Sequence, residues 1–377
     1  MRIGYDAKRI THNSTGLGNY SRYIVDILSK YYPENQYLLY TPGAAKEHLK
    51  NKIPQNNNIT YKFPQGFNSI LKSRWRSKTI IGDLSKDNVD IFHGLSNELP
   101  FGINKSGIPS IVTIHDLIFL RYPEFYKPID RKIYNYKFKR ACVEADKIIA
   151  VSEMTKNDII KYYGIDKDKI VTVYQGCDES FAKTADDKLK EEVKSKYSLP
   201  DRYILNVGTI ESRKNLLLLI KSLNEIDDKE IKVVVVGRKT PYFDEVNSYI
   251  IANKLQDRIV VLSGVTFREL PSIYQMASLF VYPSYFEGFG IPIIEAINSG
   301  VPVIGATGSC LEEAGGEYSV YVDPDNPSEL AMQINKILSD STMRMNMINN
   351  GLEYVKRFRP EVIASDIMSV YDNILSK

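Results

Sequence analysis

Two cations stand side by side in N-V-G-T-I-E-S-R-K-N-L-L-L-L-I, where Arg213 and Lys214 follow a strand-like run and its Gly208 turn and open a helical pattern. Positive side chains at a helix start oppose the helix dipole, which favours negative charge there. A phosphate group reverses that sign, because helix N–H groups and both side chains can reach it. The competing reading is a solvated basic turn partly offset by Glu211. Further along, Y-F-E-G-F-G-I-P-I-I-E-A-I carries Glu287 on a Gly288-Phe289-Gly290 loop and Glu295 beyond it, with Pro292 suited to the first helical position. A carboxylate in a first helical turn can be merely dipole-friendly, which accounts for Glu295 alone. It does not account for Glu287, which sits beside glycines that let a ligand approach the backbone. A loop carboxylate and a first-turn carboxylate suit hydrogen bonding to sugar hydroxyls, and neither has a cationic partner nearby in sequence.

Other candidates are weaker. Ser14-Thr15-Gly16-Leu17-Gly18-Asn19 lies between the first strand and the first helix, but Ser21 takes the third glycine position of a dinucleotide fingerprint. Gly16 and Gly18 are therefore either a plain tight turn or a loop touching substrate. His115 ends the strand-like S-I-V-T-I-H, where α/β active-site groups gather; a buried, hydrogen-bonded structural histidine is the alternative, and His93 is similar. Residues 71–78, L-K-S-R-W-R-S-K, interleave basic groups with the only tryptophan. Such a piece can lie on an anionic membrane surface, or it can be a solvated helix face.

The elements that must position these residues alternate between short apolar strands and helical patterns, which implies parallel sheets covered by helices. Seven strand-like runs precede Q-G-C-D-E-S-F at 175–181, and six follow it. Helices are expected near 18–31, 129–144, 153–163, 215–225, 243–255, 267–276, 291–298 and 327–339. A last amphipathic segment, 361–375, has no strand after it and must dock on something already built. The expected division is 1–178 with a C-terminal helix at 360–377, and 179–359. Two doubly wound domains facing each other would place a ligand at the carboxyl ends of their strands.

Composition narrows the class. A net charge of +3 over 377 residues is too small to argue for nucleic acid. The three cysteines, Cys142, Cys177 and Cys310, have neither disulfide nor zinc spacing. The N-terminal run lacks a signal-peptide core, and no stretch approaches the length of a membrane span. A cytoplasmic, reduced protein is expected.

Together the motifs resemble the family 4 retaining glycosyltransferases of the GT-B fold, across essentially the whole chain. The strongest stretch is P-S-Y-F-E-G-F-G-I-P-I-I-E-A-I-N-S-G-V-P-V-I, which is similar to that family's E-x7-E signature. N-V-G-T-I-E-S-R-K-N, L-S-G-V-T-F-R-E-L and S-C-L-E-E-A-G-G accompany it; F-H-G-L, V-T-I-H-D-L and I-I-A-V-S-E resemble the mannosyltransferase branch of surface-polysaccharide assembly. The resemblance implies two Rossmann-like domains, an acceptor-side one first and a donor-binding one second, with the last helix returning to the first. It implies a nucleotide-sugar co-substrate, GDP-mannose by analogy, and no metal or other cofactor. Arg213 and Lys214 would clamp the diphosphate, Glu295 the ribose and Glu287 the transferred sugar. Gly288, Phe289 and Gly290 would line sugar and phosphates, Val265 the base pocket, and Gly208 the turn beside them. His115 would approach the donor sugar, with Gly16 and Gly18 near the phosphates. Glu313 is the match in C-L-E-E-A, where the family often has a proline before the glutamate. The acceptor would be a glycan or lipid-linked glycan, with peripheral membrane contact through 71–78 and no nucleic acid. An epimerase or phosphorylase on the same architecture, or a non-catalytic sugar-nucleotide binding module, are the alternatives.

Overall fold

The strands form where β-branched and aromatic residues run together between turn signals, and each pairs in parallel with its neighbours. The computed structural model describes residues 1–376. They divide into two units, Met1–Gln175 with the segment from Pro360 onward, and Gly176–Arg359.

Unit 1 is built on a seven-stranded sheet of β1 (Arg2–Asp6), β2 (Gln36–Tyr40), β3 (Ile59–Lys62), β4 (Ile91–Gly94), β5 (Ser110–Ile114), β6 (Lys147–Ala150) and β7 (Ile170–Thr172). The spatial order is 3-2-1-4-5-6-7, so the winding reverses between β1 and β4. Ile3 pairs with Ile91 and Tyr5 with His93 across that junction. The helix Pro360–Leu375 has its place here: Ile363, Ile367 and Tyr371 enter the core formed by β1 and the helix Gly16–Tyr31. Its register is specified by polar contacts as well, because the Tyr371 hydroxyl meets Tyr5 at 3.1 Å and His93 Nδ1 at 2.7 Å.

Unit 2 carries a six-stranded sheet of β8 (Tyr203–Val207), β9 (Lys232–Val236), β10 (Ile259–Leu262), β11 (Leu279–Tyr282), β12 (Val303–Ala306) and β13 (Val320–Val322), in the order 10-9-8-11-12-13. Its reversal falls between β8 and β11. Residues just past the unit boundary belong to this sheet's helices: Asn298 Nδ2 donates to Cys177 Sγ at 3.3 Å.

Three local expectations change. The helix after β11 runs Ile291–Asn298 behind Gly290, so Pro292 is its second residue and Glu295 lies in its second turn. Arg213 and Lys214 occupy a separate 3₁₀ turn, Ser212–Lys214, and Asn215 at φ +52° breaks the chain before the helix Leu216–Ser222. In 71–78 the tryptophan does not face outward. Trp75 is fully buried with its indole N–H donating to Asp83 at 2.6 Å, and Arg76 is held by Asp6 and Glu98. A tryptophan pinned inside the core cannot anchor that segment in a lipid surface.

Candidate active site

The carboxyl ends of β8 and β11 converge, as the reversal of strand order requires, and the loops leaving them carry the charged residues. From β8 comes the 3₁₀ turn with Arg213 and Lys214; from β11 comes the loop with Glu287. Glu287 Oε2 accepts from Arg213 Nη1 at 2.8 Å, and Oε1 accepts from Lys214 Nζ at 2.8 Å. Arg213 Nη2 also reaches Glu211 at 2.7 Å. The Tyr282 hydroxyl donates to Glu287 Oε1 at 3.0 Å, and the Lys214 ammonium lies 4.9 Å from the Tyr282 ring centroid.

Burial would raise the Glu287 carboxyl, but Arg213 and Lys214 outweigh it and hold the group well below the usual carboxylate range. Burial likewise opposes the charge on Lys214 and Arg213, and Glu287 more than restores it, so both stay protonated. The result is a neutral cluster of two cations and two carboxylates whose side chains keep 14–18% of their surface at Arg213, Lys214 and Glu287. An anion that enters can take over donors already oriented at a shared point.

Glycine supplies the space. Gly208 has φ +148°, and a Cβ there would meet the Lys214 Cδ at 3.1 Å, so the lysine lies across the bare backbone. Gly290 has φ +130°, and a Cβ would press on Leu311 at 3.0 Å and Ala314 at 3.1 Å. Phe289 is buried with its ring edge-on to Phe358 at 5.4 Å, whereas Gly288 stays half-exposed.

Glu295 is half-buried and differs from Glu287 in having no cation in ion-pair distance among the described residues. The Tyr274 hydroxyl donates to its Oε2 at 2.9 Å. Burial pushes its carboxyl up to about 7, against that hydrogen bond and with help from Asp178. Two carboxylates on one loop and helix thus have opposite protonation behaviour, the pattern of groups tuned to different tasks. Val265 is half-exposed on the loop after β10. Glu313 is half-buried in the short helix Leu311–Gly315, and its carbonyl accepts from Tyr354 at 2.8 Å.

Two family models match this chain: "Glycosyltransferase Family 4" over residues 21–181 and "Glycosyl transferases group 1" over residues 187–354. The chain belongs to the family 4 glycosyltransferases. O-antigen chain mannosyltransferase B of Escherichia coli is 27% identical, with 98% of this chain and 99% of that protein aligned. O-antigen chain mannosyltransferase RfbU of Salmonella typhimurium is 30% identical over 66% of this chain and 65% of its own length. A glycosyltransferase crystal structure from Rickettsia africae superposes with a TM-score of 0.78 at 19% identity, covering 99% of this chain and 98% of that one. The fold of this glycosyltransferase is accordingly GT-B.

The first-unit candidates stand differently in the glycosyltransferase. His115 is buried; its Nε2 donates to the Leu95 carbonyl at 2.9 Å, which leaves Nδ1 to accept from Gln175 at 3.3 Å. Burial lowers its ring to about 4, so it is neutral, with both nitrogens engaged inside unit 1. Gly18 is required by packing, since a Cβ would fall 2.0 Å from the Asn13 carbonyl oxygen; Gly16 faces open space. Arg22, not singled out by sequence, staples this loop by donating to the carbonyls of Ile10 and Asn13, each at 2.8 Å.

Sequence reasoning also missed Tyr274, Tyr282 and Cys310. The Cys310 thiol is buried and lies 3.0 Å from the carbonyls of both Glu287 and Phe289, so it braces the glutamate loop from behind. Tyr282 could have been found as the last residue of β11, directly before a loop rich in glycine. Nothing local marks Cys310.

Proposed function

We propose that the chain transfers a mannosyl group from a nucleotide-sugar, GDP-mannose, to a glycan acceptor, with retention and without a divalent metal. The observation that carries this reading is the Arg213–Glu287–Lys214 cluster at the switch point of unit 2, together with mannosyltransferase relatives aligned over nearly the full chain.

In this reading the diphosphate displaces Glu287 from part of its hold on Arg213 and Lys214. The freed carboxylate then accepts from hydroxyls of the sugar. Glu295, once ionised, accepts from the ribose diol. The bond between the anomeric carbon and the β-phosphate oxygen breaks with its electron pair leaving on the diphosphate, where Arg213 and Lys214 stabilise the growing charge. The acceptor oxygen attacks the same face of the oxocarbenium-like centre, and its proton passes to the departing phosphate. Two fixed cations supply the electrostatic work that a metal performs elsewhere. His115, neutral and doubly hydrogen-bonded, is assigned a positioning role in unit 1.

The test is thermal stabilisation with GDP, GDP-mannose, UDP and UDP-hexoses in the presence of EDTA, followed by product analysis. A ligand at about 100 times its Kd adds about 2.7 kcal/mol, so a shift of a few degrees with guanine nucleotides is expected. A response to uracil nucleotides alone would remove GDP-mannose as the donor. No response to any nucleotide would overturn the donor site.

A further inference from the structure

Unit 1 has a switch point of its own, between β1 and β4, and a cavity of about 370 Å³ opens at the carboxyl ends of those strands. Its charge is uneven. Arg76 forms the floor, held by Asp6 at 2.6 Å and Glu98 at 3.1 Å, and Lys137 shares Glu98 at 3.3 Å. Arg140 is taken up by Glu144 at 2.7 Å and stacks on Phe101, its guanidinium 3.8 Å from the ring centroid. Lys8 and Lys72 line the same cavity with no carboxylate in ion-pair distance among the described residues. The Lys8 ammonium is lowered from its ordinary value by partial burial and then by the like charges of Arg76 and Arg9.

A cavity lined by five cations and two carboxylates, with Glu144 pairing Arg140 from outside the lining, carries repulsion that an entering anion relieves. Lys ammonium groups are point charges suited to phosphoryl oxygens, and Arg76 adds fixed positive charge beside them, its Nε, Nη1 and Nη2 already engaged by Asp6 and Glu98. Apolar side chains stand exposed nearby: Ile70 and Leu71 immediately precede the lining residue Lys72 in the chain, and Ile70 is 74% exposed. Phe101, in the lining itself, packs 6.4 Å from the exposed Tyr136.

We infer that this cavity is a binding pocket for a phosphoryl group carried by the acceptor, with Lys8, Lys72 and Lys137 as its cationic contacts over Arg76. The inference rests on the reading of the chain as a sugar transferase whose acceptor side is unit 1. The phosphoryl group has two sources, a soluble phosphorylated sugar or the headgroup of a lipid that these exposed apolar side chains would receive.

The test titrates the full chain with inorganic pyrophosphate while GDP is saturating, so that the cations of unit 2 are occupied. A second arm measures co-sedimentation with vesicles of phosphatidylglycerol and of phosphatidylcholine. Lys8→Ala/Lys72→Ala is expected to weaken pyrophosphate binding about 10-fold, and Lys8→Arg/Lys72→Arg to retain it. Both lysines are exposed, so the variants should keep the wild-type melting temperature. Lysine-dependent pyrophosphate binding supports a soluble source. Lysine-dependent binding to phosphatidylglycerol vesicles alone supports a lipid source. Equal behaviour of wild type and the double alanine variant in both arms overturns the pocket. The GDP response, read separately in unit 2, judges the transferase reading whatever the pocket does.

Discussion

The Glu287 carboxylate and the Lys214 ammonium, 73 residues apart in the chain, lie 2.8 Å from each other. Arg213 holds the other oxygen of the same carboxylate at 2.8 Å. One residue therefore controls how much positive charge the site presents. Glu287→Gln should keep the GDP-induced thermal shift, because both cations remain, while transfer falls by about 100-fold through loss of the sugar contact. Arg213→Ala should lose both. Each variant should also lose about 2–4 kcal/mol of stability, since a nearly buried charge loses one of its partners. Chemical denaturation and a product assay on both variants check this, and an unimpaired Glu287→Gln enzyme would contradict the assignment.

Glu295, as the proposed ribose contact, should make donor binding depend on pH. Its folded-state value, about 7, lies above the ordinary 4.5, so its contribution to stability is full below 4.5 and is lost as pH rises through 7. Ribose hydroxyls donate best to the ionised form. GDP affinity should therefore rise between pH 6 and 8 and level off above, with the proton released on binding. Isothermal titration in buffers of different ionisation enthalpy reads that proton directly. Glu295→Gln should flatten the dependence; an unchanged slope would point to another group.

Gly208→Ala separates site geometry from stability. The new Cβ would stand 3.1 Å from the Lys214 side chain at a backbone φ of +148°. Strain there should cost about 1–3 kcal/mol. The displaced lysine should weaken GDP binding about tenfold, equivalent to about 1.4 kcal/mol. Melting curves and GDP titrations of the alanine variant measure the two effects independently.

Unit 1 should be the more acid-sensitive part of the molecule through its two buried histidines. Burial lowers His93 to about 3 and His115 to about 4, both below the ordinary 6.5. The stability they contribute is complete above pH 6.5 and is lost as pH falls through those lower values. Hydrogen exchange at pH 5 should show β4 and β5 opening before β8 and β11. At pH 5 the Arg213–Glu287–Lys214 cluster should add little to this loss, because the lowered Glu287 carboxyl gives up its stability only as pH falls below 4.5.

Sequence periodicity was enough for all thirteen strands and for most helices. A strand or an amphipathic helix is specified by the spacing of its own apolar residues. The helix Ser341–Tyr354 escaped because it buries only Met347 and Gly351 and so shows little apolar stripe. The glycines of the site were legible for a related reason: a turn that must bring backbone close to something has few residues to choose from.

What only the tertiary structure decided is who meets whom. Glu287 had no cation within local reach, yet folding delivers two, because the parallel sheet sets the ends of β8 and β11 side by side. The helix Leu270–Gln275 brings Glu295 a tyrosine and, among the described residues, no cation in ion-pair distance, so its carboxyl is pushed up to about 7 while that of Glu287 is held well below the usual range. Trp75 illustrates the reverse: its basic neighbours suggested a surface, while its position over the core made it the most voluminous of the fully buried side chains. Residue types and local spacing determined the elements and nominated the chemistry. Partners, burial and charge state depend on contacts between residues distant in sequence, and those exist only after the sheets have assembled.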